Sequence, residues 1–210
     1  MNSIYFDNAA TTQMRKEVVD RMTEVMRDVP GNPSSTHAFG RTAKSQIETA
    51  RKRVAELFNV SAGEIIFTSG GTEADNLVIN SAVRDLGVRR IITSRIEHHA
   101  VLHAAEEVAT CHKIDLQFVN LKECGTPDEK HLEELLKASD AKTLVSLMHV
   151  NNEIGNMIDI KAIATLCKSY GALVHSDMVQ SVGHYQVDLQ DISVDFIAAA
   201  AHKFHGPKGV

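Results

Sequence analysis

With 210 residues, a formal net charge of -5 and 43% hydrophobic residues, the chain has the composition of an ordinary globular domain and the length to bury a sizeable core. The mild negative charge gives no basis for nucleic acid or an anionic membrane surface as a partner, and no apolar run approaches the ~18 residues that a membrane span needs. Cys111, Cys124 and Cys167 form no CxxC pair and the N-terminus "MNSIYFDNAATT" has no basic n-region, which argues against a zinc knuckle, a disulfide framework or a signal peptide and predicts a reducing, cytoplasmic location.

In chain order, the spacing of Val18, Val19, Met22, Val25 and Met26 predicts a helix over 14–29. "GNPSSTHAFGR" (31–41) reads as a turn-rich loop, and a helix follows over about 42–58. "EIIFTS" (64–69) reads as a buried strand and "GTEADNLVINSAVRDLG" as the helix after it. Strands are predicted at 90–94, 114–119, 143–149, 172–176 and 193–198, and helices at 99–111, 128–138 and 159–170. Short apolar strands alternating with amphipathic helices imply an α/β fold with a mostly parallel sheet covered on both faces. No repeat, low-complexity tract or domain linker interrupts it.

In an open parallel sheet, ligands bind at the carboxyl ends of the strands. The predicted strands deliver Gly70-Gly71-Thr72, Glu97-His98-His99, Asn151-Asn152-Glu153, Asp177 with Gln180, and His202-Lys203 to that one edge. Each group also has a plainer reading. Gly71 and Thr72 open a helix whose N–H groups suit an anion, or form an ordinary strand–helix turn. His98 stacks on a flat ligand or caps the next helix. Asn152 donates to a ligand oxygen or braces its turn. Asp177 ends a buried strand and needs a partner, which a protonated ring nitrogen, a helix cap or a core ion pair would supply. Lys203 is a surface lysine, or an amine in a partly desolvated pocket made nucleophilic toward carbonyls. An anion cradle, a carboxylate for a pyridinium, a stacking imidazole and a Schiff-base lysine are together what pyridoxal 5′-phosphate requires.

The segments "YFDNAATT", "GNPSSTHAFGR", "FTSGGTEADN", "EHHAV", "MHVNNEIG", "HSDMVQSVG" and "AHKFHGPKG" closely resemble the cysteine desulfurases, in their NifS-like branch. That resemblance implies the large domain of a fold-type I pyridoxal-phosphate enzyme over 1–210. It also implies that the segment 1–30 packs on a smaller C-terminal domain. The implied reaction removes sulfur from L-cysteine, giving alanine and an enzyme persulfide. The implied partners are a second subunit and an iron–sulfur scaffold or other sulfur acceptor. Carried over by motif, Lys203 resembles the Schiff-base lysine and His98 the ring-stacking histidine. Asp177 resembles the ring-nitrogen partner, Asn152 and Gln180 the contacts to the phenolic oxygen, and Gly71, Thr72 and His202 the phosphate ligands. Two positions depart from the family pattern: Ala200 stands where a serine helps hold the phosphate, and Met178, where the family has a small residue, is expected to crowd the ring.

The same resemblance implies that the family's catalytic cysteine and substrate-carboxylate arginine lie beyond Val210. The 210-residue chain by itself is therefore expected to be inactive, as a truncated form or one half of a split enzyme. A non-catalytic binding module that keeps the fold is the alternative. A metalloenzyme, suggested by His99 and His103 at i, i+4, lacks a third ligand with motif spacing.

Overall fold

The computed structural model describes residues 4–210. Five strands, β1 (Arg90–Thr93), β2 (Asp115–Phe118), β3 (Thr143–Ser146), β4 (Leu173–Asp177) and β5 (Phe196–Ala198), form one sheet in the order β2-β1-β3-β4-β5. All four pairings are parallel. Helices α1 (Lys16–Asp28), α2 (Ala38–Phe58), α3 (Gly71–Arg84), α4 (His99–His112), α5 (Glu129–Lys137) and α6 (Ile160–Ser169) complete the fold.

Adjacent residues of each central strand enter different cores, as the two-residue period of a strand demands. Ile91 and Leu144 pack with Ile79, Val83, Val101 and Ala105 from α3 and α4, whereas Ile92, Val145 and Val174 pack with Leu132, Leu136, Ile163 and Cys167 from α5 and α6. The predicted two-sided cover is therefore present. On α4 the buried stripe is Ala100, Val101, Ala104, Ala105 and Val108, small side chains that let α3 approach closely. Asp128 and Asp159 start α5 and α6 by accepting from Lys130 and Ala162 N–H at 3.0 Å, the usual way to satisfy orphan amides at a helix start.

The predicted strand over 64–69 is not formed. Residues 62–64 make a single 3₁₀ turn and the segment after it runs unpaired, with Ile66 70% exposed. Its sequence does favour extended backbone, but no strand lies beside it among the described residues. Arg51 holds the segment instead, its guanidinium over the Phe67 ring and bonded to the Ile65 carbonyl. α2 starts at Ala38, earlier than predicted, because His37 Nδ1 accepts from Gly40 N–H. Gly40, read as a turn residue, is a helix residue in close contact: a Cβ there would lie 2.3 Å from the Ser35 carbonyl oxygen.

The turn after β4 places Gly183 at φ +82°, where an added Cβ would lie 2.5 Å from Cβ of Phe204, the residue that follows Lys203. Left-handed backbone and overpacking together set the expected cost of Gly183→Ala at about 2–4 kcal/mol. A drop of that size in urea-unfolding free energy checks this contact.

Candidate active site

The carboxyl edge of the sheet opens into a cavity of about 610 Å³. All eight residues singled out from the sequence, Gly71, Thr72, His98, Asn152, Asp177, Gln180, His202 and Lys203, line it. Four of the five groups arrive on strand ends as predicted. Gly71 and Thr72 arrive from the unpaired 65–69 segment as the first residues of α3.

Gly71 has no room for a side chain, since a Cβ would meet Val179 Cγ2 at 2.8 Å. Gly71 and Thr72 therefore bring the first turn of α3, the positive end of its dipole, to the cavity wall. Ala200 also lines this wall, 3.7 Å from the same point. Met178 does not crowd the cavity as expected. It is fully buried in the core, and its neighbour Val179 faces the site.

β4 ends at Asp177, which is 5% exposed and accepts from Val179 N–H through Oδ1 at 2.9 Å. Burial first, and then the nearby Asp75 carboxylate, push its carboxyl up to about 7, while the Val179 bond, His175 and Lys203 pull the other way. Opposite stands Lys203, on a 3₁₀ turn (Ala201–Lys203) after β5. Partial burial lowers its basicity, and Asp177 and Asp7 oppose that effect. Its Nζ donates to the Ala9 carbonyl, which also accepts from Gln180 Nε2 at 2.9 Å. The N-terminal segment is bound to the lysine turn throughout: Thr12 donates to the His202 carbonyl from both N–H and Oγ1 at 2.8 Å, and His205 N–H donates to Thr12 Oγ1 at 2.6 Å.

His98 is the N-cap of α4, its Nδ1 accepting from Ala100 N–H at 3.1 Å. It is thus a cap and a cavity residue together. The loop that carries it is fixed to the β3 loop from below. Glu97, buried, accepts from the Ser94 hydroxyl at 2.7 Å and from Met148 N–H at 2.8 Å, and Asn151 Nδ2 donates to the Ile96 carbonyl at 2.8 Å. Burial pushes the Glu97 carboxyl up to about 8 against the pull of the Ser94 bond. Asn152 reaches the cavity rim, bonded to Glu153 Oε1 at 2.7 Å.

Sequence reasoning missed Asp75, His175 and the N-terminal residues Asp7, Ala9 and Ala10. The signal for Asp75 was its place on the buried stripe of α3 with Ile79, Ala82 and Val83. For His175 it was the i, i+2 spacing from Asp177, which puts both side chains on one face of β4. None of the three cysteines lines the cavity. Cys167 lies in the core with its thiol pushed up to about 12 by burial, and Cys111 and Cys124 are exposed. His99 and His103 stack with ring centroids 5.0 Å apart, and no group of three potential metal ligands exists among the described residues. No described helix is long and apolar enough to cross a membrane. An amine of lowered basicity facing a buried carboxylate, beside a helix N-terminus, is equipped for covalent carbonyl chemistry on an anionic, nitrogen-containing ligand.

The chain matches the family Aminotransferase class-V over residues 4–210. It is 40% identical over 212 residues to a protein named cysteine desulfurase IscS from Dictyoglomus turgidum, covering 99% of this chain and 52% of that protein. A putative cysteine desulfurase IscS 1 from Bacillus subtilis is likewise 40% identical, with 100% of this chain and 55% of that protein covered. Among solved structures, a NifS-like protein superposes with a TM-score of 0.91 at 36% identity, over 98% of this chain and 57% of that one. A structure of SspA in complex with cysteine gives 0.91 at 32% identity, over 99% and 59%. The chain spans about half the length of the curated relatives it matches.

Proposed function

From the premise that this chain belongs to the aminotransferase class-V family, we propose that it is the pyridoxal 5′-phosphate-holding portion of a cysteine desulfurase. The observation that carries this reading is the convergence of Lys203, Asp177 and the α3 N-terminus on one cavity. The residues fit the cofactor. Gly71 and Thr72 amides, with His202 beside them, suit its phosphate. Asp177 suits its ring nitrogen, His98 its flat face, Asn152 and Gln180 its phenolic oxygen, and Lys203 Nζ its aldehyde carbon. Bound there, the cofactor supplies an electron-withdrawing ring for chemistry at an amino acid's α-carbon. Asp177 holds the ring proton in place. Lys203 Nζ, once released from Ala9, accepts and returns protons at the reacting carbon.

The substrate proposed is L-cysteine, the products alanine and sulfur bound as a persulfide, and the acceptor an iron–sulfur scaffold or another sulfur carrier. The names of the relatives support this, as does the cysteine complex of SspA. The absence of any cysteine from the cavity lining supports a division of labour in which this chain holds the cofactor and the sulfur-accepting thiol comes from another segment or chain. It equally supports a non-catalytic module. One experiment separates them. The chain alone, with cofactor and L-cysteine, is expected to release no alanine above a free-cofactor control. Co-expressed with a polypeptide supplying the rest of a cysteine desulfurase, it is expected to release alanine, and to stop doing so in Lys203→Ala. No alanine from the co-expressed wild type overturns the desulfurase reading.

We further propose a homo-oligomer or an assembly with a partner chain. No residue of α1 is buried, and Phe6, Phe39 and Leu57 are 88%, 65% and 79% exposed, large apolar side chains that a partner surface would cover. Light scattering is expected to give a mass at least twice 23.0 kDa. A monodisperse monomer at high concentration contradicts it.

A further inference from the structure

The turn that carries Lys203 is closed by a residue from the other end of the chain. Lys203 N–H donates to the Ala200 carbonyl and Phe204 N–H to the Ala201 carbonyl, both at 3.1 Å, in the i to i+3 pattern of a 3₁₀ turn. The next bond in that series would run from His205 N–H to the His202 carbonyl. The buried Thr12 hydroxyl stands in its place, donating to the His202 carbonyl at 2.8 Å and accepting from His205 N–H at 2.6 Å. A hydroxyl can do both through one atom. Thr12 N–H gives the same carbonyl a second bond at 2.8 Å.

The His202 carbonyl belongs to the peptide that joins His202 to Lys203. Thr12 therefore fixes the peptide plane on one side of the Lys203 Cα. On the other side, the Lys203 carbonyl accepts from His184 Nε2 at 3.0 Å. With both flanking planes held, the direction in which the lysine side chain leaves the backbone is held too. His205 lies at φ +68°, in the left-handed region that a residue with a Cβ seldom adopts. Such backbone persists where its surroundings over-determine it. The N-terminal segment does this here: beside the Thr12 bond, the His205 carbonyl accepts from Arg15 N–H at 3.1 Å and its Nδ1 lies 2.9 Å from the Gln13 carbonyl.

We propose that Thr12 is a positioning residue for Lys203: its hydroxyl, by bridging His202 and His205, aims the amine at the aldehyde of a ligand held in the cavity. The identity of that ligand rests on the cofactor reading above; the bridge itself does not. A threonine that only tied down the N-terminus would leave the geometry of amine attack unchanged.

The first measurement needs no cofactor. In hydrogen–deuterium exchange followed by NMR, the His205 amide is expected to exchange slowly in wild type and in Thr12→Ser. In Thr12→Val it is expected to exchange about tenfold faster or more, with the amides of β3 unchanged. An unchanged His205 rate in Thr12→Val overturns the proposal, as does a wild-type His205 amide that exchanges like an unstructured one. If Thr12→Val does not fold, Thr12→Ala takes its place, and the wild-type rate still decides whether the bridge exists. The second measurement compares two aldehydes at Lys203, each trapped with borohydride and mapped by peptide. Formaldehyde diffuses freely and needs no fixed orientation of the amine, whereas pyridoxal phosphate, held by its phosphate, does. Thr12→Val is expected to slow pyridoxyl labelling by about ten- to a hundredfold while methylation by formaldehyde keeps its wild-type rate, and Thr12→Ser is expected to restore the pyridoxyl rate. Equal losses with both reagents, no loss with either, or no rescue by serine overturns the role of the hydroxyl. Wild type that takes no more pyridoxyl on Lys203 than on its surface lysines sinks the cofactor reading instead, and the exchange rates then decide by themselves whether Thr12 holds the turn.

Discussion

Borohydride reduction of the protein incubated with pyridoxal phosphate is expected to fix one pyridoxyl group per chain, on Lys203, and Lys203→Ala is expected to lose it. Attack on an aldehyde needs an unprotonated amine, and Lys203 has its basicity lowered by burial. Competing lysines are held differently. Lys16, Lys122, Lys137, Lys161 and Lys168 are all held in surface ion pairs with carboxylates, and the bonds to Glu129 and Glu133 raise the basicity of Lys122 and Lys137. Peptide mapping checks the site: label spread over these lysines, or undiminished in Lys203→Ala, overturns the assignment. The affinity is expected to be modest. Ala200 offers no hydroxyl to the anion turn, and one missing hydrogen bond to a charged group is worth about 1.5–3 kcal/mol, or roughly ten- to a hundredfold. Ala200→Ser is expected to recover that factor.

The second large effect is on stability against pH. An unfolded chain ionises a glutamate near pH 4.3, whereas the folded protein keeps the Glu97 proton up to about 8. Between those values the folded state binds the extra proton, so raising the pH withdraws stability, at up to about 1.4 kcal/mol per unit for one such group. Asp177, held up to about 7, acts in the same direction over the lower part of that window. The cofactor-free protein is therefore expected to be less stable to urea at pH 8 than at pH 5. Glu97→Gln is expected to flatten the curve while keeping the brace, its carbonyl accepting from Met148 N–H and its amide donating to Ser94 Oγ. Stability that rises from pH 5 to 8 in wild type excludes this account.

The sheet was legible because its strands are nearly continuous apolar runs, such as Ile91-Ile92 and Leu144-Val145, that only two-sided burial explains. The 64–69 segment has the same local character, yet pairing depends on a neighbour that local sequence does not specify. Six of the eight cavity residues were legible because topology sends every parallel strand's carboxyl end to one edge, whereas Gly71 and Thr72 reach it from an unpaired segment at the start of α3. What stayed hidden depends on contacts distant in sequence: Asp75 against His175, Glu97 against Met148, and the N-terminal segment against the lysine turn.

That last contact has a kinetic consequence. Thr12 and His202 are 190 residues apart, and Lys203 reaches Ala9 across a separation of 194. At about 5–20 residues per second of synthesis, the first segment waits on the order of ten to forty seconds for its partner to leave the ribosome. The rest of the sheet and its helices can assemble in that interval. The cavity is therefore completed only once His202 and Lys203 have been made, and a nascent chain stalled before His202 would hold most of the core without the turn that closes this wall of the cavity.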